Sequence, residues 1–499
     1  MAVPEKIRKV ARPRNTIVMA YGKNKDRYAV KERIGCKYDK GRRLPITGAT
    51  IGHIIDMKYV PIADTPSLVS SQSNIELKDW GNCTLCDALF KDILNELAKT
   101  YNPLDALKFY CIAILRVCNP GAKDYELKEL YETSFLSEIY PNVALSKNTV
   151  SKFFKDVGKQ CTRITQFMRN RAATVGLDAH LLVDGTLKTN NSTVNTLSDF
   201  SRKSLVKGSR DISVIYAFDL ERNEPVCSKC FPGNMLDITA YEDFVSDCGI
   251  TRGLIVADKG FPSNAAANHY AKNPNLHFLN PIKRNSKFIE THKLFDFENI
   301  LSGHEGVTYK KAKCNGANKW LYAYRDSASA AQEEHDWLTR AQKNETFDNV
   351  SFKEKQRTFG TVVLECDLDL PPETVYQAYS QRWEIEVVMR YYKSACEFDE
   401  TRVHNDYSVI ASEFCDFLAT ILTYRLINEF TAKGLLVKRN FGKIMSILHR
   451  AKKVNASNSE WKLIKMNPSY LQILDTLMPT ETQEKPLKRP VGRPRKFSV

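Results

Sequence analysis

The chain has no long uncharged apolar run. Its best candidate, Phe414 to Ile427, is interrupted by Asp416 and Arg425, whereas a membrane-spanning helix needs about 20 predominantly apolar residues. The start, Met1-Ala2-Val3-Pro4-Glu5-Lys6, has no apolar stretch behind its charges, so no secretory signal is expected. Cysteine is present but unpatterned: 13 residues, an odd number at scattered spacing. That argues for reduced thiols in a cytosolic setting rather than a disulfide framework. The 9 histidines show no ligand spacing. Two Cys-x2-Cys pairs, Cys83/Cys86 and Cys227/Cys230, superficially suggest zinc. The first opens an apolar helix, and the second lies in a strand, where positions three apart face opposite ways. No internal repeat is visible.

Acid is scarce at both ends. From Lys6 to Arg43 the chain carries fourteen Lys and Arg against Asp26, Glu32 and Asp39. Near the other end Lys485, Lys488, Arg489, Arg493, Arg495 and Lys496 stand with no acid among them. The whole chain has 73 bases, 58 acids and a net charge of +15. Basic clusters of this kind suit a polyanion, and phosphate neutralisation dominates nucleic-acid affinity. Neither cluster has an amphipathic helical pattern, so no membrane partner is expected. The 43% apolar and 26% charged residues over 499 positions describe a globular chain with room for several domains.

Residues 1–62 read as a basic β module: 15–61 alternate Val, Tyr, Ile and charge, punctuated by glycine. Ser67 to Asn74 reads as a linker. Residues 75–175 read as a helical DNA-binding region. Within it Ser146 is a helix N-cap opening a polar helix similar to the second helix of a helix-turn-helix. The period changes at His180-Leu-Leu-Val183, a short strand expected to end at Asp184-Gly185. A hairpin follows across Glu221–Glu224, then a helix from Asp237, a strand at Gly253–Ala257, a short helix from Ser263 and a strand at Leu276–Leu279. This strand-strand-strand-helix-strand-helix-strand order predicts a mixed α/β, ribonuclease H-like core over 176–284. Residues 285–370 read as a β-rich insertion containing Trp320–Tyr324 and Gly360–Leu364. Pro371-Pro372 then open a helix that returns the chain to the core over 371–435. A helical region (436–484) and a basic tail (485–499) complete the expected organisation.

Asp184 and Asp258 each end a buried strand, where open α/β sheets bind ligands. Taken singly, either is an ordinary turn residue. On neighbouring strands they would be like charges in close reach, favourable with a hard cation between them. A third acid is available on the helix beginning at Pro372. At about 100° per residue, with Tyr379 at zero, Arg382 falls at about 300°, Glu386 at about 340° and Lys393 at about 320°. Those four share one face, and Glu384 lies opposite. The face offers one carboxylate ligand and three groups suited to phosphate oxygens. It is equally readable as a solvated face with an Arg382–Glu386 pair.

The spacing Tyr379-x2-Arg382-x3-Glu386-x6-Lys393, with Trp383 and Ile385 inside it, resembles the Y-R-E-K signature of DDE transposases of bacterial insertion sequences, IS-four type. Val183-Asp-Gly-Thr186 is similar to that family's first acidic motif. Phe231-Pro-Gly-Asn234 with Asp237 resembles the segment leading to the second motif, and Val256-Ala-Asp-Lys-Gly-Phe261 the second motif itself. Met389 stands where the family often has an aromatic. Asp258 and Glu386 are 128 residues apart, which leaves room for the family's β-rich insertion.

The resemblance implies that Asp184, Asp258 and Glu386 hold two Mg²⁺ ions, with Mn²⁺ able to substitute, for cleavage at transposon ends and strand transfer into target DNA. Tyr379, Arg382 and Lys393 would grip end phosphates. It further implies terminal inverted repeats and target DNA as partners, a homodimer on DNA, and a cytoplasmic, nucleoid-associated place in a bacterial-type cell. Trp320 could stack a flipped base or serve as core. The tail around Gly492-Arg493-Pro494-Arg495 carries an AT-hook core, which would add Arg493 and Arg495 as minor-groove contacts; a plain polycation is the other reading. Two different functions remain open: a non-catalytic DNA-binding regulator on a transposase scaffold, and a ribonuclease H-like nuclease without strand transfer.

Overall fold

A computed structural model describes residues 3–22, 27–39, 42–62, 75–201, 204, 206–235, 237–258, 261–382, 400–456 and 460–479. The chain divides into two units, Met1–Glu76 with Val454–Lys462, and Leu77–Lys453 with Leu463–Val499.

The first unit opens with α1 (Glu5–Arg8) and is built on an antiparallel meander of β1 (Thr16–Tyr21), β2 (Arg27–Asp39), β3 (Arg42–Ile55) and β4 (Lys58–Pro61). Alternation places Val18, Val30 and Ile54 on one face, and these form a small core beneath Ile7, Val10 and Tyr59.

β5 (Ile75–Asp79) runs across the start of the second unit at Leu77 and is followed by α2 (Gly81–Ala98), α3 (Pro103–Cys118), α4 (Leu127–Glu132), α5 (Leu136–Ile139), α6 (Lys147–Lys159) and α7 (Cys161–Ala172). Asn102 caps α3, with Pro103 at its first position. Ser146 caps α6, its hydroxyl accepting from the Thr149 amide at 3.4 Å. The apolar face of α6, Val150, Phe153, Phe154 and Val157, is buried. These helices share one continuous core with the sheet and with α14 (Asp406–Ala432). The apolar run from Phe414 to Ile427 lies within α14, and its Phe414, Phe417, Leu418, Ile421 and Leu422 are buried. No helix among the described residues is long and apolar enough to cross a membrane.

Among the described residues the main sheet has nine strands, numbered β6 to β14 along the chain with the ranges given below, in the spatial order β11-β12-β13-β14-β10-β9-β6-β7-β8. The first five in the chain are β6 (His180–Thr189), β7 (Asp211–Asp219), β8 (Glu224–Pro232), β9 (Arg252–Ala257) and β10 (Asn275–Pro281), with α8 (Asp237–Asp247) after β8 and α9 (Ala267–Lys272) after β9. This is the mixed α/β order expected from the sequence. β6–β7–β8 are antiparallel, and β9 and β10 add parallel to β6. One expectation is corrected. β6 does not end at Asp184 but runs on to Thr189, paired with β7 from Asp184↔Tyr216 to Thr189↔Asp211. The extension is held because Thr186 and Lys188 are buried on its inner face.

Residues 285–370 hold β11 (Asn299–Ile300), β12 (Val307–Lys313), β13 (Trp320–Asp326) and β14 (Thr361–Cys366), with α10 (Lys287–Thr291), α11 (Ser327–Lys343) and α12 (Asn349–Gln356). β14 pairs antiparallel with β10, Leu279↔Cys366 through Pro281↔Leu364. These strands therefore extend the core sheet, and the longest element of the segment is a helix. The region after α14 contains α15 (Phe441–His449), two short strands and α16 (Pro468–Leu477).

Candidate active site

Leu182↔Val256 and Val183↔Ala257 are the last register pairs of β6 and β9. Asp184 and Asp258 follow immediately on these adjacent parallel strands, at one level and on one face. The face is set by alternation. On β9, Leu254 and Val256 belong to a core with Val375 and Ala378, whereas the alternate residues Ile255 and Ala257 belong with Tyr241 and Phe261 to the larger core. The two acids thus share the face covered by the helix over 372–382, here α13, and by α14.

Local turns fix both carboxylates. The Phe261 amide donates to the Asp258 carbonyl at 2.9 Å, and the Phe261 ring is buried against Tyr241. This anchors the chain as it leaves β9. Phe261 also lies over Gly185, where a Cβ would meet its ring at 3.2 Å. Asp184 Oδ1 accepts from the Gly185 amide at 2.9 Å. Burial, and next the charge of Asp184, push the Tyr424 phenol on α14 above its ordinary range.

α13 begins after Pro371 and packs Val375 and Ala378 onto the sheet. Arg382, one turn beyond Ala378, is 8% exposed. Its Nη2 lies 3.2 Å from Asp258 Oδ1. Its Nη1 donates to the Tyr379 hydroxyl at 3.5 Å, and the guanidinium stands 5.7 Å from the Tyr379 ring centre. Asp258, Tyr379 and Arg382 are therefore brought together beside Asp184. Arg382 faces a carboxylate here, not open solvent. Glu386 and Lys393, with Trp383, Glu384, Ile385 and Met389, lie outside the described residues, as do Arg493 and Arg495.

The donor set suits a hard divalent cation as far as it is described: two carboxylates at one level on adjacent strands. A third oxygen ligand is needed. Among the described residues no group of three or more His, Cys, Asp or Glu is placed to hold a metal ion. A cavity of about 540 Å³ lies apart from the acids, lined by Arg116, Lys147, Arg402, His404 and Asp416 among others, and touches neither Asp184 nor Asp258.

The Pro-Gly-Asn stretch proves to be a packing motif. The Gly233 amide donates to the Leu197 carbonyl at 3.0 Å. A Cβ on Gly233 would sit 2.0 Å from the Asp211 carbonyl oxygen. Asn234 Nδ2 donates to Asp199 at 2.7 Å. The exit from β8 is thereby locked beside the end of β6. Trp320 is half-buried on β13, packed on the core that contains Tyr322 and Val375. Lys311 and Lys313 stand 4.8 and 5.7 Å from its ring centre. Cys83 and Cys86 are buried in α2 against Cys118, and Cys227 and Cys230 lie in β8.

A buried ion network went unread in the sequence. Lys188, four residues from Asp184 on the same strand face, reaches Glu413 Oε2 at 2.6 Å and Asp416 Oδ2 at 2.8 Å. Arg116 reaches the other Asp416 oxygen at 2.7 Å and Asp124 at 3.1 Å. Burial pulls the Lys188 ammonium down, but Asp416 and Glu413 outweigh it and hold it well above its ordinary range. The network ties β6 to α3 and α14, so it sets how α14 lies beneath Asp184. The signal that could have found it is the charge interrupting the α14 apolar run: such residues are buried only when paired.

Residues 176–409 match the family model described as Transposase DDE domain. The matched segment opens just before β6 and closes in the first turn of α14, so it contains both acids and α13. Among curated proteins no match was found. Two transposase structures are among the solved structures similar to the chain. The cryo-EM structure of the piggyBac transposase synaptic complex with hairpin DNA is 14% identical, with 74% of this chain and 80% of that chain covered, at a TM-score of 0.40. The Mos1 transposase paired-end complex with the left transposon end is 10% identical, covering 32% and 58%, at a TM-score of 0.15. Likenesses this distant carry no argument about this chain.

Proposed function

We propose that the protein is a DNA transposase of the DDE class, cleaving at transposon ends and joining them to target DNA. The observation that carries the reading is the pair Asp184 and Asp258, side by side at the ends of the β6–β9 pairing within the segment that matches a transposase DDE domain. Asp184, Asp258 and Glu386 would hold two divalent ions, Mg²⁺ by preference. When bound, such ions activate the attacking water or 3′-hydroxyl and stabilise the leaving oxygen of an in-line phosphoryl transfer. The chain's own groups do the positioning. Arg382 offsets the charge of Asp258 beside Asp184. Tyr379 shares that guanidinium and would orient a phosphate beside it, and Lys393, on the same helical face by spacing, would hold another. The protein would act as a homodimer pairing two inverted-repeat ends, in the nucleoid of a bacterial-type cell.

The test compares Glu386→Gln with Glu384→Gln on a duplex carrying the DNA that borders the gene, with Mg²⁺ present. The first variant is expected to bind DNA and not cleave it, and the second to cleave nearly as the parent does. Equal cleavage by the two would remove Glu386 from the site.

A further inference from the structure

The β2–β3 pair outruns its sheet. β1 accompanies β2 only from Arg27 to Glu32, and β4 accompanies β3 only from Gly52 to Ile55. Between these limits β2 and β3 continue as a two-stranded ribbon: Arg33↔Thr47, Gly35↔Ile46, Cys36↔Pro45, Lys37↔Leu44, Tyr38↔Arg43 and Asp39↔Arg42. At about 3.3 Å per residue the ribbon is roughly 20 Å long. Register shifts on either side of Arg33 mark its base, where bulges sharpen the twist of a strand pair.

A two-stranded ribbon is marginal in water by itself, and this one exposes apolar side chains: Ile34 is 66% exposed, Leu44 39% and Ile46 41%. Its composition says what covers it. Residues 33–47 contain Arg33, Lys37, Lys40, Arg42 and Arg43 against one acid, Asp39. Two copies of such a ribbon repel each other, so a second chain is a poor occupant. Duplex DNA is a good one: it is polyanionic, and its major groove, about 12 Å wide, admits a two-stranded β-ribbon.

We propose that the ribbon formed by residues 33–39 and 42–47 enters a groove of duplex DNA, the positive charge of the segment meeting phosphates and Ile34, Leu44 and Ile46 lying against sugars and base edges. The inference rests on the reading that the chain acts on DNA, and it adds a contact surface that lies outside the segment matching a transposase domain.

The experiment measures binding of a short duplex by the full chain, by fluorescence anisotropy over a range of salt. Three variants are compared. One carries Lys37→Gln, Arg42→Gln and Arg43→Gln, which leave the ribbon backbone intact. One carries Ile34→Ser, Leu44→Ser and Ile46→Ser. The third replaces residues 36–45 by Asn-Gly, joining the cross-strand partners Gly35 and Ile46 through a two-residue hairpin turn. The charge variant should lower the slope of log K against log salt by about 2 to 3, one unit per lost phosphate contact. The apolar variant should bind at least tenfold more weakly with the slope unchanged, and the excision variant should show both losses. Parent-like affinity and slope in the charge and excision variants would overturn the proposal. So would a change confined to sedimentation mass, which would make the ribbon a contact between chains. Absence of DNA binding by the parent chain would instead sink the transposase reading as well.

Discussion

The Arg382 guanidinium on α13 meets the Asp258 carboxylate at the end of β9 with 3.2 Å between Nη2 and Oδ1. The arginine is almost wholly buried and the carboxylate 41% exposed. A permanent cation is thus built into the wall of a two-acid site, with one face of Asp258 left toward solvent. Removing it leaves two like charges on adjacent strands without their built-in counter-charge. Arg382→Gln is therefore expected to lower cleavage by about tenfold or more while DNA binding persists, and Arg382→Lys, which keeps the charge but not the planar fork, to lower it less. Parent-like cleavage by Arg382→Gln would show that Arg382 serves packing alone.

The tight turn at Gly233 makes a stability prediction. A methyl group there would fall 2.0 Å from a backbone oxygen of Asp211, which no rotamer change relieves. Gly233→Ala should cost about 2 kcal/mol or more, as overpacking does, read as a shift in the urea midpoint. A shift indistinguishable from zero would mean that the β8 exit is free to move.

Lys188 is the cation that Glu413 and Asp416 share in the core. Lys188→Met leaves these carboxylates with Arg116 as their main buried counter-charge, and should destabilise by about 3 to 5 kcal/mol. Adding Glu413→Gln should restore part of the loss, because one uncompensated buried charge is then gone. Equal stability of the single and double variants, by denaturant melts, would contradict the network.

Asp92 makes the pH dependence explicit. Burial raises its pKa, but the hydrogen bond and charge of Arg425 more than offset this, and the group is held below the ordinary carboxylate range. The folded value therefore lies below the unfolded one of about 3.9. Stability from this pair is present above that value and is lost as pH falls through the folded one. The parent should be more stable than Asp92→Asn at neutral pH, and the two should converge as pH drops below about 4. A gap that stays constant through that window would rule the linkage out.

The basic tail separates charge from shape. Deleting residues 485–499 removes six positive charges, so weaker DNA binding by itself decides nothing. If Arg493 and Arg495 enter the minor groove, the ratio of affinities for A·T-rich and G·C-rich duplexes should collapse toward one. A ratio that survives deletion while both affinities fall identifies a plain polycation.

The sequence alone determined the elements and their order. Short apolar runs from β6 to β10, separated by helix starts at Asp237 and Ser263, were enough for a mixed sheet. The placement of Asp184 and Asp258 on one face followed from the same alternation once the strands were known to be neighbours. Spacing along a single helix aligned Tyr379 with Arg382, because both lie on a continuous 3.6-residue repeat.

Tertiary structure decided what depends on partners far away in the chain. β6 runs past Asp184 because Lys188 finds Asp416, 228 residues on; no local pattern carries that pairing. Residues 285–370 join the core sheet because β14 returns to pair with β10, a register that alternation permits but does not choose. Arg382 gained a partner that its spacing does not name, Asp258, when α13 packed Val375 and Ala378 onto the sheet. In each case the local rule left several partners equally good, and burial chose among them, since a buried charge or strand edge is tolerated only where its counterpart is already in place.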